Sequence, residues 1–131
     1  MNYFGASINQ SPTIAEQAGK VITNGKFLAV KYDTNGNVVL CDTAGELALG
    51  VLLPEIAESV AMGEGITIQI KNIGLVRTGA AIKKGQEVMT DAQGRVIPAT
   101  TGKFVLGYAM GETDAEDGII QVDIRKSGYK A

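Results

Sequence analysis

The two halves of the sequence repeat one pattern of glycines, turns and apolar residues. Four motifs occur in the same order in each half: IxxGxxL at 22–28 and IxxGxxV at 82–88, DxxGxV at 33–38 and 91–96, LG at 49–50 and 106–107, and IxIxI at 66–70 with IxVxI at 120–124. The spacing between partners drifts only from 60 to 54 residues, a change that loops tolerate. Since roughly 50 residues bury little surface alone, the repeat predicts two similar units packed around one core.

Alternating apolar and polar residues predict that both units are built from β-strands. Residues 66–70 and 120–124 alternate Ile or Val with polar residues, which is typical of a strand with one buried face. The pair Asn35-Gly36 is a strong signal for a hairpin turn, because both central residues of such a turn need positive φ. No stretch sustains a helical period, although 54–61 allows a short helix or an exposed loop. We therefore predict an all-β fold, either a compact β-barrel or a β-sandwich.

The repeat also predicts how the chain is organised. The expected segments are an extended N-terminal arm at 1–20 and a single β domain at 21–131, which divides into a repeat at 21–70, a connector at 71–81, a repeat at 82–125 and a tail at 126–131. The connector is expected to add a strand at 73–76. Within the arm, residues 13–16 match a capping box that starts one helical turn, and an unstructured terminus is the alternative.

The apolar residues of the predicted strands are the core candidates. They are Leu28, Val30, Val38, Leu40, Leu49, Val51, Ile68, Ile70, Val76, Val88, Val96, Leu106, Val122 and Ile124.

Composition argues against several classes of function. The net charge is −2 and no block of Lys and Arg is present, so the sequence predicts no nucleic-acid partner. No apolar run approaches the ~20 residues that cross a bilayer, and a single Cys allows no internal disulfide, which together predict a protein made in a reducing cytoplasm. Histidine, the commonest general base and metal ligand, is absent. We therefore expect neither enzymatic activity nor a metal or cofactor.

The remaining chemical candidates also have structural interpretations. Asp33 and Asp91 recur in the repeat, but each opens a turn that ends in Gly, where Asp side chains accept hydrogen bonds from backbone amides. Cys41 is expected to be buried and inert, because no histidine is available to activate it. The acidic residues at 112–117 lack the spacing of a calcium loop and predict a solvated turn.

Several motifs of the second half resemble those of the capsid cement, or head decoration, proteins of tailed phages. The matching strings are AAIKKGQEV at 80–88, TDAQGRV at 90–96 and GYA at 107–109, supported by LGV at 49–51 and the turn at 33–38. The resemblance covers about residues 20–125. It implies a β-barrel or sandwich that binds the outer surface of an icosahedral shell, commonly as a homotrimer, and clamps neighbouring major capsid protein subunits. It also implies a place on the virion after synthesis in the host cytoplasm.

The N-terminal arm is the candidate capsid contact, and this assignment comes from composition alone. The predicted contact residues are Asn2, Tyr3, Phe4, Ile8 and Ile14, within an arm segment spanning 2–14. Exposed aromatic residues dominate binding hot spots, and an extended arm can add a strand to the open sheet edge of a partner. The alternative is that Tyr3 and Phe4 fold back onto their own domain.

Two other functions remain open on the sequence. The run at 85–88 is also similar to biotinyl and lipoyl carrier domains, which need a modified Lys on an exposed hairpin between the repeats. Lys71 holds that position here, but it lacks the Met, Asp or Ala flanks of such domains. The third possibility is a structural β domain of a phage tail or an adhesin.

Overall fold

The computed structural model describes residues 2, 4, 5 and 8–131, and this part of the chain is built from twelve β-strands. The first half contains β1 Thr13–Gln17, β2 Ile22–Thr23, β3 Ala29–Tyr32, β4 Val38–Leu40, β5 Gly50–Leu52, β6 Ser59–Val60 and β7 Gly65–Gln69. The second half contains β8 Asn72–Arg77, β9 Glu87–Thr90, β10 Val96–Pro98, β11 Phe104–Ala109 and β12 Ile119–Tyr129. The described residues include no helix, and so none that could span a membrane. The all-β prediction is confirmed.

The strands form two five-stranded antiparallel sheets with the same internal order. Sheet 1 runs β1-β7-β5-β3-β4 and sheet 2 runs β8-β12-β11-β9-β10, while β2 and β6 form a separate small sheet. Each strand of sheet 1 therefore has one counterpart in sheet 2, found 54 to 60 residues later by the motif spacing. The duplicated motifs of the sequence mark a duplicated sheet.

Both sheets curl in the same way. The residue after β1 reaches the opposite edge of sheet 1, where Ala18 forms a parallel bridge with Val38, and Thr78 does the same with Val96 in sheet 2. In the described residues this contact is a single bridge at each site, and neither sheet closes into a barrel. The duplicated unit is thus one strongly curled open sheet.

Two predicted segments contain strands that belong to the sheets. β1 lies within the segment expected to be the arm, and β8 lies within the expected connector, where a strand was predicted. The capping-box residues 13–16 are extended in β1, not helical, because β1 pairs along its whole length with β7. Residues 54–61 likewise form turns and β6, and no helix.

The turn prediction for the two repeated aspartates is confirmed. Asp33 Oδ1 accepts hydrogen bonds from the backbone amides of Asn35 at 2.8 Å and Asn37 at 3.0 Å. Asp91 Oδ1 accepts from those of Gln93 and Arg95, both at 2.9 Å. A carboxylate that satisfies two amides inside a tight turn stabilises the turn and has no need of a catalytic role.

The core consists of two clusters. The first lies inside sheet 1 and is formed by Ala18, Ile22, Val30, Val38, Leu52, Val60, Ile66 and Ile68. The second lies inside sheet 2 and also takes in Ala29, Cys41, Ala48 and Val51 from the first repeat. β5 and the first two residues of β3 are therefore buried on both faces. Of the fourteen core candidates, eleven are buried, and Leu40, Leu49 and Ile70 are half-buried against the first cluster.

Backbone hydrogen bonds join the repeats in addition to this shared core. The Ala29 amide donates to the Gly94 carbonyl oxygen at 2.7 Å, and the Gly45 amide donates to that of Thr90 at 2.8 Å. The Phe104 amide in turn donates to the Gly45 carbonyl oxygen at 3.0 Å. The second repeat is thus held against the back of sheet 1 by both apolar packing and directional bonds.

Candidate interaction surfaces

The structure does not bring the predicted arm residues into one site. Asn2, Phe4 and Ile8 are exposed, with Phe4 at 92% and Ile8 at 78%, whereas Tyr3 lies outside the described residues. Ile14 lies in β1 and packs, half-buried, against the first core cluster. Phe4 and Ile8 are therefore the apolar side chains that the described arm offers to a partner, and Ile14 contributes to the fold.

Hydrogen bonds attach the chain to sheet 1 from Asn9 onward. The Lys71 ammonium donates to the Asn9 carbonyl oxygen at 3.2 Å, and the Ile70 amide donates to that of Pro12 at 2.8 Å. This contact also bears on the carrier alternative, because Lys71 is half-buried against the start of the chain, not presented at a free hairpin tip.

A second exposed apolar surface lies on sheet 2. We define the outer face as Ile73, Leu75, Tyr108, Met110 and Ile119, which are each 40% to 49% exposed. Strand pairing places them on both sides of β12: β8 and β11 both pair with β12, so that the polar Asp123 lies between Ile73 and Tyr108. Exposed large apolar side chains clustered around polar ones on one sheet face are typical of an interaction site.

Sequence reasoning missed the outer face, although a signal for it exists. β8 has the sequence NIGLVR, and apolar residues lie on both of its faces: Ile73 and Leu75 point outward and Val76 is buried. A strand at the edge of a half-solvated sheet needs apolar residues on one face only. The excess apolar residues of β8 therefore indicate a second surface to be covered.

Part of the free edge of β8 is already hydrogen-bonded, although its face is open. The Gln69 side-chain amide donates to the carbonyl oxygens of Ile73 and Lys71, both at 3.0 Å. The Arg77 amide donates to the Phe27 carbonyl oxygen at 3.0 Å. Because these bonds occupy both ends of the edge, we expect a partner to meet this surface mainly through side chains.

The groups with potential chemistry are occupied or buried. Burial raises the pKa of the Cys41 thiol to about 12, which keeps it protonated and unreactive at neutral pH. Glu116 and Asp117 of the acidic loop lie 3.5 Å and 3.3 Å from the Arg95 guanidinium. No group of acidic, Cys or His side chains suited to a metal ion occurs in the part of the chain that the structure describes.

Comparison with solved structures finds the same fold in a phage protein. The N base of the head fiber gp8.5 in bacteriophage phi29 superposes with a TM-score of 0.64 over 91% of this chain and 98% of that chain, at 18% sequence identity. At this identity the likeness shows a shared fold. No curated protein matches the sequence.

The family is shown by the sequence itself. A family model described as phage cement protein matches residues 9–124, which span both repeats, β1 and β8. The resemblance found in the motifs of the second half is thereby confirmed. The chain belongs to the phage cement proteins, a family of structural proteins associated with the phage capsid.

Proposed function

We propose that this chain is a decoration protein that binds the outer surface of the icosahedral head. It clamps neighbouring major capsid protein subunits as a homotrimer, and it does so without catalysis or a cofactor. The observation that carries the proposal is the presence of two exposed apolar surfaces on one chain, the arm with Phe4 and Ile8 and the outer face of sheet 2. A clamp needs two separate contact surfaces, and here both belong to one protein.

Modest contacts are sufficient for such a clamp. Once one surface is bound, the other meets its target at a high effective concentration, and a trimer multiplies this gain. The outer face supplies Tyr108, a residue type enriched in binding hot spots, and the arm supplies the more exposed Phe4. The virion surface is the proposed location, reached after synthesis in the host cytoplasm.

Sedimentation with expanded shells that lack the protein tests the proposal. Phe4→Ala combined with Ile8→Ala should weaken binding by at least about tenfold, because both side chains are otherwise exposed to water. Met62→Ala is the control, since Met62 is 70% exposed on a turn and belongs to neither surface. Failure of the wild type to sediment with shells at saturating concentration would contradict the proposal. Light scattering on the free protein and mass measurement on the shells test the trimer.

A further inference from the structure

A groove of about 600 Å³ opens where the two repeats meet, and no part of the proposed capsid contact uses it. Its walls include Tyr32, Leu47 and Leu49 from the first repeat and Phe104 and Lys126 from the second. The volume lies within the range of sites that hold small molecules or side chains of a bound peptide. Leu47 is 62% exposed at the groove, so its apolar surface is available to a ligand.

Lys126 enters this groove from an irregular stretch of backbone. The pairing of β11 with β12 shifts register between Val105 and Gly107, and Lys126 has φ of +48°. The 54-residue spacing relates Lys126 to Asn72, the first residue of β8, which also has a positive φ, of +69°. Asn adopts this left-handed conformation readily, whereas Lys does so at a cost. Position 126 therefore carries Lys although Asn would adopt the same backbone conformation at a lower cost.

The positive charge of Lys126 is not neutralised within the chain. Its ammonium donates to the Leu49 carbonyl oxygen at 3.0 Å, and no carboxylate of the described residues lies within 4.0 Å of it. Burial also lowers the pKa of Lys126. A partly buried cation with only a carbonyl partner is a costly arrangement.

The one carboxylate that lines the groove is already engaged. Glu46 Oε1 lies 2.7 Å from the Lys31 ammonium. Glu46 Oε2 accepts hydrogen bonds from the amides of Asp42 at 2.9 Å and Thr43 at 2.7 Å. The groove therefore combines an exposed apolar wall with a cation whose preferred partner is missing.

We propose that the groove binds an extended segment of a partner protein that places an acidic side chain on Lys126 and an apolar side chain against Leu47 and Phe104. Charge complementarity identifies the occupant as acidic. The arm of a second copy does not fit, because residues 1–12 contain no Asp or Glu. This site is separate from the arm and the outer face, and its existence does not depend on the proposed capsid contact.

The probe is the capped peptide Gly-Leu-Asp-Phe-Gly, compared with the same peptide carrying Asn in place of Asp. The peptide carries an apolar side chain on each side of Asp, so that it can lie in the groove in either chain direction. NMR titration of protein labelled at the lysine side chains measures both affinities and reports directly on Lys126. We expect the acidic peptide to bind about tenfold more tightly, the gain of one charge-assisted hydrogen bond.

Two variants separate this site from a structural role of Lys126. Lys126→Asn should bind both peptides equally and should melt at a higher temperature, since Asn adopts the left-handed backbone of this position more readily than Lys. Leu47→Ser should weaken both peptides and keep their ratio. Lys84→Asn, an exposed lysine elsewhere, is the control for the change in net charge.

Three outcomes would overturn the proposal. The first is that the acidic peptide does not bind, and the second is that the wild type binds the two peptides equally. The third is that acetate displaces the acidic peptide at the concentration at which the peptide itself does, which would show that the apolar wall does not contribute to binding. None of these outcomes affects binding to shells through the arm, so this proposal and the proposed function fail separately.

Discussion

The two repeats place the same pair of strands at the same sheet edge but turn different surfaces to solvent. In the first repeat, the outward positions of β1 and β7 include Ala15, Gln17 and Thr67. By the motif spacing, their counterparts in β8 and β12 are Leu75, Arg77 and Gln121, beside Ile73 and Ile119 of the outer face. The inward positions of β7 and β12 are apolar in both repeats.

This difference separates what the fold requires from what a surface requires. The first repeat shows that β1 and β7 pair with small and polar residues at their outward positions. The apolar Ile73, Leu75 and Ile119 of the second repeat are therefore not needed for the pairing of β8 with β12, and exposed apolar residues without such a need are a candidate interface. The same logic applies to Lys126, because Asn would suit the left-handed backbone at this position better.

Where the repeats agree, substitutions should be equally damaging in both. A methyl group on Gly50 would lie 2.1 Å from the Gln69 carbonyl oxygen, and one on Gly107 would lie 2.2 Å from that of Asp123. Because backbone cannot move aside, Gly50→Ala and Gly107→Ala should each lower the free energy of unfolding by about 3 kcal/mol or more. Urea unfolding monitored by circular dichroism measures this loss.

Gly65→Ala is the control, since a methyl group there meets no atom within 4 Å. It should change the unfolding free energy by less than about 1 kcal/mol. A large loss for Gly107→Ala with none for Gly50→Ala would mean that the two sheets are not equivalent in their close strand contacts.

Where the repeats differ, substitution should affect binding in the second repeat alone. Leu75→Ser should weaken binding to shells by about tenfold, with a loss of unfolding free energy of about 1 kcal/mol or less, because the side chain is nearly half exposed. Ala15→Ser, at the equivalent outward position of β1, should change neither quantity. Sedimentation and urea unfolding on the same samples give both values. If Leu75→Ser leaves shell binding unchanged, the outer face is not part of the capsid contact.

The sequence predicted those parts of the fold that local patterns specify. Alternation at 66–70 and 120–124, together with the repeated Asp and Gly residues, identified the strands, turns and core correctly. β1 was missed because an edge strand with Ile14 as its single large apolar residue has no alternation to detect. The capping-box pattern at 13–16 also predicts a helical start, and pairing with β7 overrides that preference.

The candidate sites were harder to predict because residues distant in sequence form them. The groove joins Leu49 to Lys126, which no local pattern connects. The outer face depends on the register of β8, β12 and β11, which sets Ile73 and Tyr108 on either side of Asp123. Of the predicted arm contacts, Phe4 and Ile8 are exposed, but only the sheet pairing reveals that Ile14 is taken up by the core.

The repeats also differ where Tyr32 of β3 meets Glu16 of β1. This difference should make the free energy of unfolding depend on pH. In the first repeat the Tyr32 hydroxyl donates to the Glu16 carboxylate, whereas the equivalent residues of the second are the buried Thr90 and Val76, which do not titrate. The hydrogen bond to Glu16 raises the pKa of Tyr32 from 10.0 to about 12. The folded state therefore keeps a proton that the unfolded chain loses near pH 10.

The resulting stability is present below pH 10 and is lost as the pH rises from 10 to about 12. Because Tyr32 is 45% exposed, solvent screening limits the contribution to about 1 kcal/mol. Tyr32→Phe should therefore cost about 1 kcal/mol at pH 7 and almost nothing at pH 12, measured as the difference in urea unfolding from the wild type. Glu16→Ala should remove most of the same pH dependence, since it deletes both the hydrogen-bond acceptor and the charge. A difference in unfolding free energy between Tyr32→Phe and the wild type that stays constant from pH 7 to pH 12 would contradict this prediction. The hydrogen bond between Tyr32 and Glu16 would then give the first repeat no pH-dependent stability.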